Sequence, residues 1–362
     1  MDSRGLPIRF HEMTRDKEIV IVAEDACGWP NLARTVGEDL VCIYFNRPSH
    51  GLEEGDLVCS ASSDGGLTWE FRGTPAPHPV EGNRMHLAVG SAGNGDLLAF
   101  SSGFSVKESQ FTGFGNQWLS RSSDEGRSWE VNEVPEVPEH CLGAIPFGRI
   151  LKLSDGRLAY SCYCSEGKEN PSKTWVVFSS DDGATWPTSV QFGEDDSNEA
   201  TLLEVDPGRL LAAARTHIDH HVKLCESSDA GDTWSDISPL TLPMQHPADL
   251  IKLGGDLLLL TYGIRNRGLM GIGARLSQDG GVTWRPPWVI HQFGEEATDC
   301  GYPSTVLLDE DGTLLTASYT DYESSLGKKA HGYRTIAFRW SLQEYLDEKA
   351  LQSISDGELL NI

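Results

Sequence analysis

The chain has 362 residues, with 29 Lys and Arg against 54 Asp and Glu and a formal charge of −25. Binding a phosphate backbone relies on lysines and arginines that displace counterions, so this excess of acid argues against nucleic acid and, for the same reason, against an anionic membrane as partner. No window approaches the roughly 20 apolar residues of a spanning helix, and residues 1–7 lack the apolar core of a secretory leader; a soluble, cytoplasmic protein is expected.

The first apolar run, residues 19–23, reads as a strand. From Pro30 onward a two-part pattern repeats. Its first half is an apolar run, a Gly-containing turn and a second apolar run, beginning near Pro30, Leu87, Phe147, Ala200, Ala248 and Ser304. Its second half is an octapeptide, Ser-x-Asp-x-Gly-x-Thr/Ser-Trp, at 62–69, 122–129, 179–186, 227–234 and 277–284. The octapeptide has the chemistry of a hairpin turn. Its Asp accepts bonds from turn N–H groups, its Gly supplies a positive φ, and its Trp offers an apolar plate to a neighbouring unit. The aspartates at 64, 124, 181, 229 and 279 are therefore structural.

Each copy reads as two strands, a longer loop and two more strands, the four-stranded blade of a propeller. The sixth copy ends at residues 336–340 without an octapeptide, and residues 19–23 are expected to supply its outer strand. Ser341-Leu-Gln-Glu344 resembles a capping box that opens a short C-terminal helix over 341–351. The fold class is all-β, a six-bladed β-propeller of four-stranded antiparallel blades, with residues 1–362 as one domain. The eight cysteines lie scattered in strand-like runs and read as buried thiols. Cys162-x-Cys164 is a core pair in preference to a metal site, because no second pair completes four ligands.

The Asp-box octapeptides and six repeats resemble the sialidase (neuraminidase) superfamily, whose members are six-bladed propellers with the active site opposite the boxes. In that family a Tyr attacks the anomeric carbon and a Glu acts as its base, while three arginines grip the substrate carboxylate. Ser197-Asn198-Glu199 through Arg215 is similar to the segment carrying the Glu and the second arginine, and Gly301-Tyr302-Pro303 to the segment carrying the Tyr. The resemblance implies Tyr302 as nucleophile and Glu199 as base. A phenol needs such a base, since its ordinary pKa lies near 10. Arg265 and Arg267 both lie where the third arginine belongs, with spacing favouring Arg267.

The chain departs from the family pattern at Cys27-Gly28-Trp29-Pro30, where Gly28 stands at the position of the first arginine. Arg47 falls on the next family arginine. In the loop that follows, the acid/base Asp is missing; Glu53 is nearest, with His50, Glu54 and Asp56 as alternatives. Trp29 is read either as a sugar-stacking plate or as inter-blade packing. Arg84, His86, His246, Asp249 and Asp299 occupy corresponding blade positions, and His217, with Asp219, His220 and His221, follows Arg215; of these, His86, His217, His246 and Asp249 are taken as substrate-binding candidates. No metal and no cofactor is expected.

The resemblance implies an exo-acting glycoside hydrolase that removes a terminal sugar, acidic sugars included, with a glycan as partner. Two alternatives stand beside it. One is a propeller polysaccharide lyase or two-carboxylate glycosidase acting on uronic-acid or other non-sialic glycans, and the other is a carbohydrate-binding propeller without turnover.

Overall fold

In the computed structural model, residues 17–164, 172–193, 197–328 and 332–345 are described. Six four-stranded antiparallel blades follow one another in the chain. Blade 1 is Asn31–Arg34, Leu40–Phe45, Leu57–Ser62 and Glu70–Ala76; blade 2 is His86–Ser91, Leu97–Ser102, Trp118–Ser122 and Glu130–Asn132. Blade 3 is Ile145–Lys152, Leu158–Cys164, Lys173–Ser179 and Thr188–Phe192; blade 4 is Ser197–Asp206, Arg209–Thr216, Val222–Ser227 and Ser235–Pro239. Blade 5 is Gln245–Gly254, Leu257–Ile264, Gly271–Ser277 and Trp288–Gln292. Blade 6 is Cys300–Leu307, Thr313–Thr320 and Arg334–Ser341, completed on its outer edge by Ile19–Glu24. The first strands touch in cyclic order around a hub, and those of blades 2 and 3 pair in parallel there. Closure by an early strand on the last blade ties both ends of the repeat array together.

The octapeptides form the hairpins expected of them. In the first, Thr68 N and Thr68 Oγ1 donate to the two Asp64 oxygens at 2.9 and 2.6 Å, and Gly66 N donates to Ser62 Oγ at 2.8 Å. The glycine at the fifth position has φ between +82° and +96° in all five boxes, a conformation that a side chain would strain. The Thr68 and Ser62 bonds lower the Asp64 carboxyl to about 2. Trp69, Trp129, Trp186, Trp234 and Trp284 each pack into the apolar cluster between their own blade and the preceding one. Blade 6 has no box; Trp340 fills the interface with blade 5 and donates to Thr316 Oγ1 at 2.9 Å.

Because strands alternate direction, the boxes, which follow each third strand, lie at the face opposite the start of each first strand and the end of each second strand. That second face gathers Trp29, His86, Glu199, His246 and Tyr302 from first-strand starts, and Tyr163, Arg215, Arg265 and Tyr319 from second-strand ends. All eight cysteines are free thiols, and only Cys164 is more than slightly exposed. The described start of the expected C-terminal helix is a 3₁₀ turn, Leu342–Glu344, whose Ser341 cap accepts from Gln343 N as the capping-box reading anticipates. The rest of the expected helix, from residue 346, lies outside the described residues.

Candidate active site

Glu199, His246 and Tyr302 each sit in a break of strand register, between Ser197 and Ala200, Gln245 and Ala248, and Gly301 and Ser304. An extra residue at such a bulge turns a side chain out of the regular alternation, here towards the hub. Tyr302 adopts φ +54°, which is unusual for a non-glycine residue and is held by the strands around it. Its hydroxyl donates to Glu199 Oε1, and both side chains are buried. Arg215 Nη1 donates to the other oxygen, Glu199 Oε2, at 2.8 Å.

Burial and the neighbouring Glu199 push the Tyr302 phenol well above its ordinary value. Burial works against the charge on Arg215, but Glu199 and Tyr302 more than offset it and raise that guanidinium. The tyrosine is therefore held protonated, with its hydroxyl hydrogen directed at the carboxylate that can accept it.

Beside this pair stands an aromatic wall. Trp29 meets Tyr302 edge-on at 5.1 Å between ring centroids and stacks on His86 at 5.0 Å. Phe147 lies 6.0 Å from Tyr302. These rings, with Ile145, Tyr163 and Glu199, line a small recess. Trp29 Nε1 is buried there and has no hydrogen-bond partner among the described residues. Burial lowers His86 to about 3 and His246 to about 2, so both are neutral imidazoles at ordinary pH.

The second centre is Asp299. Arg265 Nη2 donates to Asp299 Oδ1 at 2.5 Å, and Oδ2 is shared by His50 Nε2 at 2.5 Å, Tyr333 at 3.1 Å and Tyr319 at 3.2 Å. Burial works against the Asp299 charge, yet the bond from His50 and the charge of Arg265 bring the carboxyl below its ordinary range.

Several other expectations need correction. Asp249 does not line the recess: it is locked in a buried ion pair with Arg149, which reaches it with Nε at 2.9 Å and Nη2 at 2.6 Å. Arg267 is exposed in a turn, and Arg265 is the arginine at the mouth. Glu53 is exposed, and its carbonyl, not its carboxylate, takes the bond from Asn83. Asp56 is engaged by His78 and Asn46, and Glu54 Oε1 accepts from Glu81 N, so neither alternative acid reaches the site. Arg47 turns its Nε to the Glu54 carbonyl of its own loop at 2.7 Å.

His217 meets Ser172, just ahead of the third strand of blade 3, at 2.6 Å and Asn198, the neighbour of Glu199 in the first strand of blade 4, at 3.2 Å, while His220 lies 3.4 Å from Arg215 and 5.4 Å from the His246 ring. Arg84 stacks over Trp118 at 3.6 Å and donates to the Asn116 carbonyl. At Gly28 a Cβ would come within 2.3 Å of Phe45 N, so no arginine fits on this backbone.

Sequence reasoning missed Arg149, Phe147, Tyr163, Tyr319 and Tyr333. Two signals were present. Arg149 is a lone charge inside an apolar inner strand and demands a buried partner. Tyr163 and Tyr319 hold the same second-strand end as Arg215.

A propeller with box hairpins on one face and a Tyr, Glu and Arg cluster at the hub of the other has the architecture of the sialidase superfamily. Residues 80–315 match the BNR repeat-like domain, and the chain belongs to that family and superfamily. It is 27% identical over 331 residues to a sialidase of Bacteroides fragilis, covering 80% of this chain and 59% of that protein. It spans 57% of a Paraclostridium sordellii sialidase at 20% identity. The chain thus covers less than two thirds of the length of these relatives. A Dyadobacter fermentans protein of unknown function superposes with a TM-score of 0.75 at 22% identity, over 90% of this chain and 98% of that one. The NanB sialidase of Streptococcus pneumoniae superposes at 0.69 with 12% identity, over 92% and 71%. At such identities these structures support the fold alone.

Proposed function

We propose that the protein is an exo-acting glycoside hydrolase that cleaves a terminal sugar through Tyr302, with Glu199 as its base. The observation that carries this reading is the hydrogen bond from the Tyr302 hydroxyl to Glu199, formed at the hub between blades 4 and 6. A buried phenol held this far from ionisation is a poor nucleophile unless its proton leaves as the new bond forms. Glu199 stands ready to take it, and Arg215 on the second oxygen fixes the carboxylate in place. Trp29 and Phe147 offer apolar faces to the C–H side of a sugar ring. A recess at a propeller hub, lined by residues of blades 1, 2, 3, 4 and 6, suits a chain end better than a chain middle.

The names of the relatives support a glycosidic substrate. The arginine set does not repeat that of the family, since Gly28 removes one guanidinium and Arg215 and Arg265 each already hold a carboxylate. Other terminal sugars therefore belong in the test beside sialic acid. That test is a screen of 4-methylumbelliferyl and 4-nitrophenyl glycosides, including sialic acid and uronic acids. Release of the chromophore by wild-type protein supports the hydrolase. An unsaturated product detected by its ultraviolet absorbance points to elimination, and silence across the panel contradicts the proposal.

A further inference from the structure

The hydrolase reading leaves the departing oxygen without a proton donor. Glu53 is exposed, and Glu54 and Asp56 are engaged elsewhere. The blade 1 loop nevertheless brings one residue to the mouth, His50, with Nε2 2.5 Å from Asp299 Oδ2. Asp299 accepts from His50, Arg265, Tyr319 and Tyr333 together. Three of these four donors share Oδ2, so that oxygen is fully engaged and serves to fix the imidazole.

The His50 side chain is 37% exposed, and its Nδ1 bonds to no described residue. Its ring lies 6.3 Å from Trp29 and 5.6 Å from Tyr319, and these two rings also flank Tyr302, at 5.1 and 5.8 Å. Tyr333 closes the third side at 5.1 Å. The charged or titratable groups around His50 are thus Asp299, Tyr319 and Tyr333 in contact, with Arg265 and Cys27 behind them.

We infer that His50 is the proton donor and acceptor of the reaction and that Asp299 is its positioning residue; the inference rests on the Tyr302 and Glu199 reading. In the first step Tyr302 oxygen bonds to the anomeric carbon and its proton passes to Glu199. The bond from that carbon to the leaving oxygen breaks as Nδ1–H of the His50 imidazolium protonates that oxygen. In the second step water attacks the same carbon and gives its proton to the now neutral His50, while the tyrosyl oxygen leaves and recovers its proton from Glu199. Enzyme and charge return to their starting state.

The test compares wild type, His50→Gln, Asp299→Asn and Tyr302→Phe on the methylumbelliferyl and methyl glycosides of one sugar, with folding followed by circular dichroism. A phenolic leaving group departs without help, whereas methanol does not. His50→Gln is expected to lose about 10²- to 10⁴-fold in kcat/KM on the methyl glycoside and less than about tenfold on the aryl glycoside. Azide, a nucleophile that needs no base, should speed its turnover of the aryl substrate. Asp299→Asn should lower kcat on the methyl glycoside, leave the aryl glycoside nearly unchanged and keep KM for both, a split that loss of packing alone would not cause. Equal losses on both substrates in His50→Gln and Asp299→Asn, with no response to azide, overturn the role of His50 while Tyr302→Phe remains inactive. A wild type that cleaves nothing, or an active Tyr302→Phe, overturns the underlying hydrolase reading instead.

Discussion

Arg149 of blade 3 and Asp249 of blade 5 form a two-bond ion pair across the hub, with side chains only 9% and 6% exposed. Arg149 Nη2 also donates to the Thr305 carbonyl, and Thr305 N donates to Asp249 Oδ2, so the pair holds blade 6 as well. Removing one partner leaves a buried charge without its counter-ion. Arg149→Met should cost about 3 to 5 kcal/mol in urea unfolding, and Asp249→Asn added to it should recover part of that loss. Equal and additive losses would mean that the pair does not couple the blades.

Gly28 stands against the Phe45 backbone, where a Cβ would lie 2.3 Å from Phe45 N. Gly28→Arg should therefore destabilise the fold by about 1 to 3 kcal/mol, seen as a lower Tm, and add no turnover of sialosides. A stable variant with improved sialoside turnover would show that the backbone yields here and that the missing guanidinium alone sets specificity.

Two histidines at the mouth are buried as neutral rings, and burial takes His86 from 6.5 to about 3 and His246 from 6.5 to about 2. The unfolded chain then binds protons that the folded chain refuses. Their contribution to stability is complete above about pH 6.5 and is lost as pH falls below that value. Tm should decline from pH 7 to pH 5, and the decline should be shallower in His246→Asn. Parallel profiles for the two proteins would contradict the assignment.

The box carboxylates act lower on the pH scale. Asp64 and Asp124 are brought to about 2, chiefly by the hydroxyl bonds from Thr68 and Ser128. A depressed carboxyl stabilises the fold above its unfolded value near 3.8 and loses that effect as pH falls towards 2. Asp124→Asn should remove part of the acid sensitivity below pH 4 and leave glycoside turnover unchanged, because the box lies on the face opposite Tyr302. A loss of kcat with intact folding would contradict a purely structural box.

The blades were legible because their pattern is local. Five octapeptides with a positive-φ glycine and a Trp plate, and six paired apolar runs, define strands and turns without reference to distant contacts. Tyr302 and Glu199 were legible through resemblance, and the bulges that aim them are an outcome of packing that alternation of residues does not display. The rest depended on long-range partners. Asp249 reads as a free acid until Arg149, a hundred positions earlier, is seen beside it. Arg265 and Arg267 differ only in where the chain turns after Ile264. Glu53 and His50 share one loop, and only its fold over blade 6 decides which reaches Asp299.

The most direct test is turnover by Tyr302→Phe and Glu199→Gln on whichever glycoside the wild type cleaves in the aryl glycoside screen. The variants keep the shape of each side chain and remove the hydroxyl or the charge. The account predicts folded proteins with unchanged circular dichroism and kcat lower by about 10²-fold or more in each. Wild-type turnover in either variant would contradict it.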